Sequence, residues 1–195
     1  MKLLKLFGLG ANANTKKDAR GNESGIGQFD ELFGSPSNIN FSVRRERILK
    51  FDGELVSVAS MGDHVRLVKL LELLLAEVNM ANSNVSRYVA TPIKNAFPNT
   101  TKAEQVQNLY LDHNRAYIEI RRLCKHLIEA APLLAEGESV DDFQMLDESQ
   151  SVEVFGSLAK INDAIRSLET VWSRLDPFEK ESSLLRKQSR QPSFS

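Results

Sequence analysis

A single cysteine, Cys124, stands in a chain of 195 residues, so no disulfide can form within it and the paired-cysteine spacing of a zinc site is missing. That points to a reducing, cytosol-like compartment. Long apolar runs are missing too: none approaches the roughly 18 residues a membrane span requires. The richest stretch, Leu67 to Val78, is broken by Lys69, Glu72 and Glu77. The chain is therefore not expected to cross a bilayer. Ala11-Asn12-Ala13 imitates a secretory cleavage site, but Lys5 interrupts an apolar region that is already too short for a signal peptide. Charge of one sign is not in excess: 25 Lys and Arg against 26 Asp and Glu leave a formal net charge of -1. Direct nucleic-acid binding needs a field of uncompensated cations to displace counterions, so the balance argues against it.

What is present fits one compact domain with disordered ends. A 42% hydrophobic share is ordinary for a folded chain, and a segment of roughly 150 residues buries about two-thirds of its unfolded surface without disulfide or metal. Residues 1–9 form a basic-apolar leader, and residues 10–40 form a flexible linker rich in Gly, Asn and Ser. Within the linker only Phe29-Asp30-Glu31-Leu32-Phe33 stands out, as a docking motif or one helical turn laid on the domain. A helical domain over 41–187 and a disordered tail over 188–195 complete the organisation.

The domain opens on Phe41, Val43, Leu49 and Phe51, which alternate before Asp52-Gly53 and Leu55-Val56-Ser57-Val58. Asp-Gly between two apolar runs suits a type I′ turn, so the pattern predicts a β-hairpin over 41–59. Arg44, Arg45 and Arg47 fall on it, as a phosphate-contacting patch or, the preferred reading, a solvated edge that discourages sheet pairing.

The remainder has helical periodicity. Ser60 and Asp63 offer capping chemistry before Val65 to Met80, where Leu67, Leu70, Leu71, Leu74, Leu75 and Val78 recur at helical spacing. A weaker helix follows Ser83, is interrupted near Pro92 and stops by Pro98. Thr101 with Glu104 forms a capping box. Val106, Tyr110, His113, Tyr117, Ile120, Cys124, Leu127 and Ala131 then alternate steps of four and three, widened by Leu109, Ala116 and Leu123. This long helix should end near Pro132 and Gly137. An acidic connector with a short helix around Val140 to Leu146 follows, either a solvated loop or a dock for a basic partner. Phe155, Leu158, Ile161, Ile165, Leu168, Trp172 and Leu175 define another amphipathic helix, which Asp176-Pro177 should stop and restart. The fold class expected is mainly α: a bundle of about four to five helices with one N-terminal β-hairpin.

Residues with catalytic chemistry do not assemble into a motif. His64, His113 and His126 lack ligand spacing, so no metal site and no cofactor is expected. Cys124 lies about three helical turns from His113, at about 1.5 Å rise per residue, too far for a nucleophile and its base. Ser157-Leu158-Ala159-Lys160 matches Ser-x-x-Lys but has no companion motif. Gly21, Gly25 and Gly27 have neither a preceding strand nor a Gly-Lys-Ser/Thr step. The chain is expected not to be an enzyme. Ser189 and Ser193 each follow an arginine by three positions, a phosphorylation-like pattern common by chance.

The leader is the most specific feature. On a helical wheel Leu3, Leu4, Leu6 and Phe7 cover one face, while Lys2 and Lys5 cover the other; Lys16, Lys17 and Arg20 follow. Such a helix lies in a membrane interface, and each nearby cation adds about 1 kcal/mol toward anionic lipid. A frayed terminus packed on the domain would show the same pattern. Lys2-Leu3-Leu4-Lys5-Leu6-Phe7-Gly8-Leu9, with Lys16-Lys17 downstream, resembles the start of rhabdovirus-type matrix proteins. Phe41 to Val58 followed by Ser60-Met61-Gly62-Asp63 and an apolar helix is loosely similar to their strand-then-helix entry. The resemblance covers about a quarter of the chain. It implies a protein that lines the inner face of a viral envelope, self-associates and bridges membrane to nucleocapsid. The linker departs from that family in having no Pro-Pro-x-Tyr or Pro-Thr/Ser-Ala-Pro motif, the domain is not basic, and residues 101–187 are more helical.

The expectation is thus a non-catalytic peripheral membrane or assembly protein, cytoplasmic or in a virion. Lys2, Leu3, Leu4, Lys5, Leu6, Phe7, Lys16 and Lys17 would meet an anionic membrane, and Tyr110, His113, Tyr117 and Ile120 would form core or, where exposed, a surface for a second copy or a protein partner. The alternative is a soluble helical adaptor or chaperone that captures an amphipathic partner helix.

Overall fold

The computed structural model describes residues 41–135 and 148–188, which fall within one compact unit, Pro36–Ser195. The leader, the linker with Phe29–Phe33, most of the acidic connector with its expected short helix, and the tail from Ser189 lie outside the described residues. Helix α1 spans Phe41–Ser60, α2 His64–Val85, α3 Thr91–Ala96, α4 Thr101–Ala135 and α5 Glu148–Gln188. A π-helical turn, Ser86–Ala90, joins α2 to α3.

The expected hairpin over 41–59 is a helix. Phe41, Arg44, Ile48, Phe51, Leu55 and Val58 are buried at steps of three and four, a stripe that outweighs the period-two coincidence of Phe41, Val43, Leu49 and Phe51. Burying each large apolar side chain of that stripe stabilises by about 1.5–3 kcal/mol, whereas Gly53 inside a helix costs about 1 kcal/mol relative to alanine. The glycine that does turn the chain is Gly62, whose φ of 71° closes the link between α1 and α2. Asp63 caps α2 as expected, its carboxylate accepting from the Arg66 amide at 2.9 Å, while the Ser60 hydroxyl donates back to the Val56 carbonyl at 2.7 Å.

The helix begun at His64 does not stop near Met80. It runs through Ser83 into the π turn, where the Thr91 amide donates to the Ser86 carbonyl five residues back. Pro92 brings no amide hydrogen and sits in the first turn of α3, so the chain stays helical past it. The α-helical acceptor it would have used, the Tyr88 carbonyl, receives the buried Ser182 hydroxyl from α5. The next cap is one residue earlier than the expected box: the Thr100 hydroxyl accepts from the Ala103 amide at 3.3 Å.

Helix α4 ends at Ala135, between Pro132 and Gly137 as expected, but the stop at Pro177 is overridden: α5 continues through it over 41 residues, about 60 Å at 1.5 Å per residue. Asp176 and Glu179, which look like the cap and first turn of a new helix, instead face α1.

The four long helices pack in a ring, α1 on α2, α2 on α4, α4 on α5 and α5 on α1. Each neighbouring pair runs antiparallel, as shown by Glu54 with Arg66, Asn79 with Tyr117, His126 with Glu153 and Arg45 with Asp176. This is an up-down-up-down four-helix bundle. Its core holds the expected Leu67, Leu70, Leu71, Leu74 and Val78 of α2, and Leu158, Ile161, Ile165, Leu168 and Leu175 of α5. No strand occurs among the described residues.

Candidate functional site

Two places in the bundle concentrate charge: a layer inside it and an open groove on its surface. The inner layer begins with Arg44, which is 1% exposed and donates to the buried Glu77 carboxylate of α2; Arg47 donates to the other oxygen of Glu77 at 3.3 Å. One turn of α1 thus places two cations on one anion. Arg45, between them in sequence, faces α5 and forks onto Asp176 at 2.5 Å and Glu179 at 2.8 Å. Its guanidinium lies 4.1 Å from the centre of the Phe41 ring and 5.8 Å from that of Trp172. Three arginines meet three carboxylates here, and the layer ties α1 to α2 on one side and to α5 on the other.

His113 of α4 lies behind this layer with 0% of its surface exposed. Its Nδ1 is 3.2 Å from the Asn82 side-chain oxygen, an acceptor, so the ring proton belongs on Nδ1. The ring centre is 6.2 Å from that of Trp172. Burial, aided by the positive charge of Arg45, pulls the His113 pKa down to about 4, which keeps the ring neutral near pH 7. Cys124, further along α4, is a buried free thiol, and burial pushes its pKa up to about 12. A thiol held in that form is a poor nucleophile.

The groove runs between the outer sides of α4 and α5. Asp112, Arg115 and Glu119 line one wall and Ser167, Thr170 and Val171 the other, with Ala116 and Ala164 as its floor, enclosing about 460 Å³ of open space. Small floor residues keep the two helices from filling it. Asp112 accepts from Arg115 at 3.1 Å, and Glu119 accepts from Arg122 at 2.7 Å. The Arg122 hydrogen bond holds the Glu119 carboxyl below its usual range.

Of the residues expected to bind a protein, His113 and Ile120 are fully buried in the bundle. Tyr110 and Tyr117 are half-buried, and the Tyr117 hydroxyl donates to Asn79 of α2 at 2.8 Å. The four do not form one surface. Lys2, Leu3, Leu4, Lys5, Leu6, Phe7, Lys16 and Lys17 lie outside the described residues. Ser157 is buried and Lys160 exposed on α5, one helical turn apart. No group of three or more His, Cys, Asp or Glu suited to a metal ion occurs among the described residues, and no helix there is long and apolar enough to cross a membrane.

Sequence reasoning missed the inner layer because it placed Arg44, Arg45 and Arg47 on a solvated strand edge. The structure corrects this: all three are paired with carboxylates. The signal was available, since Arg44 occupies a core position of the stripe Phe41, Ile48, Phe51 and Leu55, and Glu77 lies between Leu74 and Val78. A charged residue of each sign on two apolar stripes is the signature of a buried pair.

Comparison with protein-family models, with curated proteins and with solved structures yields no match.

Proposed function

We propose that this chain is a non-catalytic peripheral membrane and assembly protein of matrix-like type, in which the leader touches anionic lipid and the helical bundle associates with itself. The observation that carries the reading is the leader: Leu3, Leu4, Leu6 and Phe7 opposite Lys2 and Lys5, with Lys16 and Lys17 following. The bundle supports it chemically. Its buried ionisable groups are spent on holding helices together, with Arg44, Arg47 and Glu77 joining α1 to α2 and Arg45 joining α1 to α5. The two groups best suited to nucleophilic or base chemistry, Cys124 and His113, are buried and shifted away from it. Such an interior suits a rigid building block.

Co-sedimentation with liposomes tests the reading. The full chain should pellet with anionic vesicles at low salt, release at high salt, and lose binding when residues 1–9 are removed or Lys2 and Lys5 are replaced by glutamate. Equal recovery in the supernatant for all forms would refute it. The groove between α4 and α5 favours one second reading, an adaptor that receives a partner helix there; in that case the leader is dispensable for function.

A further inference from the structure

The charges of the bundle are sorted along its axis. From Val78 to Ala103 the sequence holds no Asp or Glu, while Arg87, Lys94 and Lys102 fall within it. From His126 to Ala159 it holds no Lys or Arg, while eight acids fall within it. Antiparallel packing carries the first stretch to the end of the bundle where α1 begins and α5 finishes, as shown by Tyr88 with Ser182 and Lys102 with Glu181. The second stretch links α4 to α5 at the opposite end, where His126 meets Glu153.

The end near the start of α1 is built from the π turn, α3, the first turn of α4 and the last turns of α5. Over Val78–Glu104 and Phe178–Gln188, six Lys and Arg stand against three acids, Glu104, Glu179 and Glu181. Two of those acids are already bound, Glu179 by Arg45 at 2.8 Å and Glu181 by Lys102 at 2.7 Å. Arg87, Lys180 and Lys187 are exposed, and exposed Lys94 donates to the neutral Gln107 side chain at 2.9 Å. These cations come from the π turn, α3 and α5, so they are spread around the end of the bundle. Two exposed apolar side chains lie among them. Tyr88 is 45% exposed, with the Arg186 guanidinium 5.0 Å from its ring centre. Leu184 is 60% exposed and stands four residues after Lys180 and three before Lys187, on one side of α5. Cations with a tyrosine and a leucine between them suit a lipid interface, where the apolar groups enter the headgroup layer and the cations stay at the phosphates.

We infer that this end of the bundle is a second membrane contact, a docking surface for anionic lipid headgroups that acts together with the leader. This rests on the lipid-binding role of the leader in the proposed function and adds the surface that completes it. A short interfacial helix alone binds weakly, and stable attachment takes two signals. The sequence that carries the leader joins the bundle at Phe41, on this same end, and the acid-rich stretch joins α4 to α5 on the other, away from negatively charged lipid. Cations spread around an end fit a broad surface better than a single strand, which is held in a groove that tracks its backbone.

Co-sedimentation of the full chain with vesicles of phosphatidylcholine and about 30% phosphatidylserine tests the contact. The forms Lys180→Glu/Lys187→Glu and Arg87→Glu/Lys94→Glu are each expected to bind about tenfold more weakly than the wild type, or weaker still. Arg121→Glu/Lys125→Glu makes the same change of charge at exposed positions of α4 toward the acidic end, and should alter binding by less than about threefold. Leu184→Ser, which keeps every charge, should also weaken binding. Every side chain replaced is exposed, and far-UV circular dichroism matching the wild type establishes that the variants are folded. Equal weakening in the end variants and the α4 control would overturn the surface, because net charge alone would then account for binding. Wild-type binding by both end variants, with binding lost on removal of residues 1–9, would overturn it while leaving the leader's role intact. A wild-type chain that stays in the supernatant would overturn both. End variants that hold vesicles at wild-type strength but lose binding to a single-stranded RNA oligonucleotide, or lose self-association in analytical ultracentrifugation, would assign this end to nucleic acid or to a second copy and overturn the lipid contact.

Discussion

Lowering the pH from 7 to 4.5 puts the interior around His113 under a defined load. The ring is fully buried, accepted by Asn82 of α2, flanked by Trp172 of α5 and within the field of Arg45 of α1. Desolvation first and Arg45 second pull its pKa to about 4 in the folded chain, against 6.5 for an unperturbed imidazole. Between those values the unfolded chain binds a proton that the folded chain refuses. Stability therefore rises with pH through this window: the contribution is complete above the unfolded value and is lost as the pH falls toward 4. At about 1.4 kcal/mol for each pH unit separating the two, the loss at pH 4.5 is about 2–3 kcal/mol. Urea unfolding followed by the fluorescence of Trp172, the only tryptophan in the chain, measures it. Carboxylates also titrate toward pH 4, so the comparison is with His113→Gln, which can still donate to Asn82 but cannot take up a proton. The wild type should lose about 2–3 kcal/mol more than the variant over that range, following the interval between the two pKa values. Equal losses in the two proteins would refute the assignment of a buried neutral ring.

Four further outcomes follow from the same structure. Glu77→Gln removes the anion that balances Arg44 and Arg47 in the interior and should cost about 3 kcal/mol in chemical denaturation; a loss well under 1 kcal/mol would place the pair in solvent. Ser182→Ala leaves the Tyr88 carbonyl without the hydroxyl it accepts and should cost about 1–3 kcal/mol, visible as a lower thermal midpoint. Gly53→Ala should raise stability by about 0.5–1 kcal/mol, because a Cβ there meets nothing within 4 Å and the position is helical; a tight hairpin turn would give the opposite sign. Cys124 should resist a thiol reagent in the native chain and react once urea unfolds it, and rapid native labelling would contradict its burial.

Where many residues voted for one period, the sequence was readable. The stripes of α2, α4 and α5 each repeat over several turns, and the bundle follows from them. Local punctuation was less trustworthy. Asp52-Gly53 looks like a turn, yet the buried stripe from Phe41 to Val58 carries far more energy than one helical glycine costs. Asp176-Pro177 looks like a stop and restart, yet Asp176 has its partner in Arg45, 131 residues away in sequence. A long-range ion pair leaves no local trace beyond an acid in an expected place. Pro92 is similar: what rescues it is Ser182, on a helix the sequence places far downstream. The charged layer was legible only as an anomaly, an arginine on an apolar stripe.

The π turn at Ser86–Ala90 also acts as a phase corrector. Buried positions reach Val85 on one side and resume at Val89 and Ile93 on the other, two steps of four in succession, which a regular helix would carry progressively off the core. The wider turn absorbs that drift, so the α2 stripe and Ile93 share one axis of burial. Deleting a single residue between Ser86 and Ala90 would restore regular hydrogen bonding and rotate everything after it by about 100°. Ile93 would swing away from the core, and the irregularity is thus what lets two differently phased segments serve one interior.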